Sequence, residues 1–322
     1  MARIPRIAVS GKAVLATAIA FSAALAAPPD SDPVWFRAET DPAELKRALA
    51  DDVASDRWIY HDLEAARAEA RRSGKPLLAL FRCVPCGSVP KLDEQISAAD
   101  GPLATLVDQF VCVRVVKMNG VNRNVFEFDR DIPYVAMIVN ADGTVYGRWG
   151  TRTSVSRSDL SRHTLGSFRT ALEKALELHV GYPANRDALA AKSTDRVRTP
   201  PLPEDMPTMK PFGGNPPEVK NCIHCHMVGE ASLELEMSER KLTTGDLWPF
   251  PPADNIGIRL DVDAGLTVKS VTSESPAERA GVRAGDALVR LAGQPLISEA
   301  DIQWALHHLP NDARPKLELL RN

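Results

Sequence analysis

Four of the five cysteines fall into two pairs of identical spacing, Cys83-Val-Pro-Cys86 and Cys222-Ile-His-Cys225. Cysteines three residues apart close a loop too short to remove much entropy from the unfolded chain, so these pairs staple almost nothing. The fold must rest on hydrophobic cores, and the pairs are there for chemistry: redox exchange, metal binding or haem attachment. Cys112 lies in the apolar run 110–118 and reads as a buried, inert thiol.

A chain of 322 residues has room for two or three domains. A net charge of only −3 gives no bulk field for a polyelectrolyte, which argues against nucleic acid as a partner. Residues 1–26 read as a secretory signal peptide. Arg3, Arg6 and Lys12 form a basic start, 13–25 is an uncharged and mostly apolar run, and Ala24-Leu25-Ala26 is a small-x-small cleavage pattern. The run is short for a membrane span, and no later stretch is long and apolar enough, so no span is expected after cleavage. Export implies a periplasmic or otherwise extracytoplasmic location, where paired cysteines can be oxidised.

Along the chain, 61–72 and 90–99 carry helical patterns, while 76–81, 110–118, 133–140 and 144–150 read as strands. Asn140-Ala-Asp-Gly143 is a hairpin signal and 165–180 a long amphipathic helix. This order predicts an α/β layer over 58–182. The segment 195–254 reads as a Pro-rich linker carrying the second cysteine pair, with seven prolines between 199 and 220, as a tether or an extended wrap. From 255 to 322 short strands alternate with turns around one helix at 298–309, a small β-rich domain.

A CxxC between a strand and a helix suits a dithiol, with Cys83 as nucleophile, Cys86 as resolving thiol and Arg82 placed to lower the Cys83 pKa. Trp58, Gly74-Lys75-Pro76, Cys83-Val-Pro-Cys86, Ile132-Pro133 and Tyr146-Gly-Arg-Trp-Gly150 resemble the thioredoxin superfamily, especially the thioredoxin-7-like branch of exported bacterial proteins. The resemblance implies a thioredoxin fold with Pro133 as a cis-proline facing the dithiol. Gly87-Ser-Val-Pro90 departs from the pattern. Pro90 favours a helix that starts there, too late for its dipole to act strongly on Cys83. A static disulfide or a metal site are the alternative readings of the pair.

Cys222-Ile-His-Cys225-His226 carries the CxxCH signature of covalent haem c, with His226 as the iron ligand. Met237 is the first candidate for the opposite position, and Met206 and Met209 could fold back to it. The alternatives are zinc held through His226 and the two thiols, or a second dithiol. His224, inside the motif, reads as a solvated filler.

Residues 255–322 resemble a bacterial HtrA-type PDZ domain, through Asn255-Ile-Gly-Ile258, Ser275-Pro-Ala-Glu-Arg-Ala-Gly281 and Ala284-Gly-Asp286. The resemblance implies that a peptide C-terminus adds to the strand at Ile256, Gly257 and Ile258, beside Ile302 and Leu306 of the helix. The competing reading is a PDZ that packs on its own chain. No protease motif accompanies it.

Together these readings predict a multidomain chain: an α/β thioredoxin-like fold, a short helical haem-c-like segment and a small β-rich PDZ domain. The expected function is extracytoplasmic thiol-disulfide or electron-transfer chemistry, with a protein client recruited through the PDZ and a cytochrome or thiol redox partner. The alternative is a non-enzymatic adaptor with structural cysteines or a zinc knuckle.

Overall fold

The computed structural model describes residues 8–9, 33–86, 89–152, 160–210 and 222–321. The apolar run and cleavage pattern of the expected signal peptide lie outside the described residues, as do Gly87 and Ser88 and the side chain of Cys86. Ala8–Val9 (β1) pairs in parallel with the last strand of the chain.

The first domain begins with α1 (Pro42–Ala48) and β2 (Trp58–Tyr60). It continues through α2 (Leu63–Ser73), β3 (Leu77–Arg82), α3 (Pro90–Ser97), α4 (Ala104–Val107) and β4 (Val111–Val115). The hairpin β5 (Tyr134–Val139) and β6 (Val145–Trp149) follows, then α5 (Leu165–Val180) and α6 (Arg186–Leu189). The five strands form one sheet in the order β2-β4-β3-β5-β6. β3 runs parallel to β4 and antiparallel to β5.

β3 is central and buried along its whole length, so its sequence Leu-Leu-Ala-Leu-Phe is apolar on both faces. Leu77, Ala79 and Phe81 face one core and Leu78 and Leu80 the other. Each such leucine contributes roughly 1.5–3 kcal/mol through burial. Local chemistry sets the helix ends. The Asp62 carboxylate caps α2 by accepting from the Ala65 N–H, and Gly74, at φ 69°, closes it in the left-handed conformation. Thr164 and Ser167 form a capping box on α5.

The Pro-rich stretch is a wrap. Met206 is buried in the sheet's core, and Glu204 accepts from the Gly120 N–H and pairs with Arg37. Residues 211–221 lie outside the described residues. Then come α7 (Cys225–Ser238), which packs Val228, Ala231 and Leu235 into the same core, and the short α8 (Thr244–Leu247).

The C-terminal domain holds β7 (Ile258–Leu260), β8 (Val268–Val271), α9 (Pro276–Arg279), β9 (Ala287–Leu291), β10 (Gln294–Pro295), α10 (Glu299–His308) and β11 (Lys316–Leu320). It has its own core around Ile256, Ile258, Val268, Leu288 and Ile302. It is docked, not tethered. One face of α10 lies against β6. The Lys192 ammonium donates to Asp301 at 2.6 Å, both side chains fully buried, and Trp304 Nε1 donates to the Ala191 carbonyl. The Arg148 guanidinium stacks 3.5 Å from the Trp304 ring centre. Gly147 permits the approach, because a Cβ there would sit 2.4 Å from Ile297 Cγ1. Among the described residues no helix is long and apolar enough to cross a membrane.

Candidate functional site

The site starts where β3 runs out. The β3–β5 ladder pairs Arg82 with Tyr134, and one residue further the Cys83 N–H donates to the Pro133 carbonyl at 3.0 Å. The Ile132–Pro133 bond is trans, the favoured state of an X-Pro bond, which corrects the expected cis bond; the cis X-Pro bonds among the described residues are Tyr182–Pro183 and Thr199–Pro200. Pro133 still lies directly beside Cys83, as the sequence predicts. Val84–Cys86 forms a single 3-10 turn, and α3 begins at Pro90, the late start read from the sequence.

Arg82 does not serve the sulfur. Its guanidinium donates to Asp93 at 2.8 Å and to the Cys83 carbonyl. Asp93 is also held by Arg114, which reaches Asp51 on its other side. Burial alone would raise the Asp93 carboxyl, but hydrogen bonds and charge from Arg114 and Arg82 hold it below the usual carboxylate range. This buried network locks α3 to β3 and β4 beneath the motif.

Cys83 is buried and disulfide-bonded, whereas Cys112, Cys222 and Cys225 are free thiols. Against Cys83 Sγ, at 3.2 Å, lies Nδ1 of His224. The second motif therefore covers the first. Its backbone is pinned to the end of β4, where Met118 N–H donates to the Ile223 carbonyl and Ile223 N–H to Asn119 Oδ1. His224 is half-buried, not a solvated filler. Burial and the neighbouring His226 push its pKa down, so it is neutral near pH 7. Nothing local in the sequence marks it, because its partner is 141 residues away.

Cys225 is the first residue of α7, and it packs in the apolar core of the sheet. Burial pushes its thiol up to about 11, with Arg130 opposing. Cys222 lies outside that apolar cluster; burial raises its thiol too, with Lys117 opposing.

Haem c would need both thiols and the proximal imidazole to face one haem-sized space. Cys225 is enclosed in the core while His226 is exposed to solvent. Met237 is 58% exposed on the same helix as His226, about 16 Å further along the axis, so it cannot stand opposite that ring. Met206 folds back, but into the core beside Ser232. A cavity of about 580 Å³, between α7, the 123–131 segment and Trp248–Pro252, is lined by neither cysteine nor His226. As folded, these residues do not form a haem c site. Among the described residues no three His, Cys, Asp or Glu side chains converge as metal ligands.

Residues 58–141 match the profile of the thioredoxin-like family, and residues 254–322 match that of the PDZ domain. The chain joins a thioredoxin-like domain to a PDZ domain. Over 63 residues it is 36% identical to a probable periplasmic serine endoprotease, DegP-like, of Pseudomonas putida, covering 20% of this chain and 13% of that protein. A DegP-like protein of Pseudomonas savastanoi pv. phaseolicola is 33% identical over the same length. The chain thus spans about an eighth of the curated relatives it matches. No solved structure matches it.

In the PDZ domain, Ile256, Ile258 and Ile302 are buried in the domain's own core, and Leu306 packs against it. Gly257, at φ 85°, is required by a close approach, since a Cβ would lie 2.1 Å from that of Ser275. β7 has β8 on one side only, which leaves it an edge strand. Arg162 of the thioredoxin-like domain pairs with Asp254, before the loop, and with Glu299 at the start of α10.

Proposed function

We propose that the chain is an extracytoplasmic thiol-disulfide exchange protein acting through the Cys83-Val-Pro-Cys86 pair. One observation carries this reading: the oxidised Cys83 has a neutral imidazole 3.2 Å from its sulfur. Exchange releases a thiolate whenever Cys83 is displaced from a disulfide, and a nearby histidine can hold or return its proton. Cys83 forms the mixed disulfide with a client and Cys86 resolves it. The PDZ domain is a protein-interaction module, and its β7 edge offers strand addition to a client peptide. The DegP-like relatives, named as periplasmic, support an extracytoplasmic setting.

The test is reduction of a protein disulfide by full-length chain in a dithiothreitol-driven assay. Activity abolished by Cys83→Ser, with unchanged circular dichroism, supports the reading. A wild-type chain inactive across a wide range of redox buffers defeats it.

A second reading is a non-enzymatic adaptor. The docking of α10 on β6 favours it, because that interface builds a rigid two-domain surface without needing either cysteine pair. It predicts normal partner binding by a Cys83→Ser/Cys86→Ser chain.

A further inference from the structure

The chain holds both reactants of one exchange reaction. Cys83 is in a disulfide, while Cys222 and Cys225 are thiols on the very segment whose middle residue touches Cys83. The sheet phase agrees. Leu77, Ala79 and Phe81 face the core that encloses Cys225, and Cys83 continues that alternation. We propose that Cys222-Ile-His-Cys225 is an internal dithiol that reduces the Cys83 disulfide, with His224 as the proton carrier between them. This rests on the exchange reading above and adds to it the identity of a reductant.

The steps balance within the chain. The Cys222 thiolate attacks Cys83 Sγ, forming a Cys222–Cys83 bond while the bond between Cys83 and its partner sulfur breaks. The partner leaves as a thiolate and takes up a proton. His224, neutral at rest, then takes the proton of the Cys225 thiol as Cys225 attacks Cys222; the Cys222–Cys83 bond breaks, and Cys83 leaves as a thiolate to which His224 returns that proton. Cys222 and Cys225 lose two electrons and two protons, and Cys83 and its partner gain them. Cys222 is the attacking group because it lies outside the apolar cluster, whereas Cys225 is enclosed by it. Thiolate attack on a disulfide is the ordinary route of such exchange.

His224 is a positioning and proton-carrying group here, with no bond of its own to sulfur. Its removal should slow the internal step, and should also slow direct reduction of the Cys83 disulfide by dithiothreitol, since Cys83 leaves as a thiolate in both.

The experiment uses full-length chain, fully reduced, then given one equivalent of oxidised glutathione. Samples are acid-quenched at intervals, alkylated and mapped by mass spectrometry. Wild type should show disulfide at Cys222–Cys225 rising as disulfide at Cys83 falls. Cys225→Ser should instead accumulate a peptide pair linked through Cys83 and Cys222. Cys225→Ala gives the same trap without a hydroxyl in the apolar core, should the serine variant fold poorly. His224→Gln should lower the rate of transfer about ten-fold or more. If neither trapping variant links Cys83 to Cys222, the internal relay is wrong. The dithiothreitol-driven assay of the same samples then shows whether Cys83 exchange itself survives. Haem bound covalently at Cys222 and Cys225, seen as visible bands that persist after denaturation, would also overturn the relay, since thioethers cannot exchange.

Discussion

The two cysteine pairs share a spacing and differ in almost everything the fold does with them. Cys83 follows directly on a buried central strand, and the next α-helix starts only at Pro90. Cys225 opens a 14-residue helix directly, the position where a helix N-terminus favours a thiolate. Yet Cys225 is the one whose thiol is pushed up, because desolvation in the core outweighs the helix and Arg130. Spacing and helix register do not set reactivity by themselves; what packs over the sulfur decides it. At Cys83 that cover is an imidazole, and at Cys225 it is hydrocarbon.

The largest expected effect separates the supports of the two motifs. Arg114→Met removes the cation between Asp51 and Asp93 and leaves both carboxylates buried with less compensation. Breaking a buried pair from one side costs about 3–5 kcal/mol. Urea unfolding should show that loss. Alkylation of Cys222 at low urea should stay close to wild type, because the backbone contacts of its segment, to Met118 and Asn119, do not include this network. Equal exposure of both motifs would mean that they open as one unit.

A middling effect concerns the platform. Gly147→Val places side-chain atoms where Ile297 and Asp301 now sit, and overpacking of this kind costs roughly 1–3 kcal/mol. The PDZ domain should loosen from β6, with faster proteolysis in the 193–198 segment. Dithiothreitol-driven exchange at Cys83 should be retained, because β3 and Pro133 are not at that interface. Loss of exchange would show that docking shapes the site.

Much of the first domain is legible in the chain. The runs of Val, Leu and Ile give β3, β5 and β6 to within one residue and locate β4, which stops three residues before its run ends, while the three-residue β2 carries no such run. The amphipathic pattern gives α5 with its observed bounds, and Pro90 announces the late α3. What fails is whatever depends on contacts across long sequence separations. Nothing in the sequence marks Asp301, Gln303 and Glu299 for burial, yet Lys192, Thr151 and Arg162 bury them at the interface. His224 reads as filler because its partner sulfur comes from another domain element. The CxxCH pattern suggests haem, but burial of Cys225 is a tertiary property that no motif encodes. The trans state of Pro133 departs from what the resemblance implies, and the isomer of an X-Pro bond is not written in the local pattern.

The smallest effect tests the contrast between the motifs through their protons. The Cys225 thiol is raised by burial to about 11, against roughly 8.5 for an unfolded cysteine. A group whose folded pKa is raised contributes stability below the unfolded value and loses it as pH rises toward the folded one. Wild type should therefore weaken between about pH 8.5 and 11, with Cys225 responsible for about 1 kcal/mol of the loss by pH 9.5. Buried Cys112, pushed up to about 12, weakens the fold over the same window, so the informative quantity is the difference between wild type and Cys225→Ala. That variant should lose less stability from pH 7.5 to 9.5 in parallel urea titrations. Cys83 contributes nothing there while it is disulfide-bonded, since it carries no thiol proton. If Cys225→Ala leaves the alkaline slope unchanged, the Cys225 sulfur is more solvated than its packing implies, and the contrast between a covered imidazole–sulfur contact and a hydrocarbon-enclosed thiol collapses.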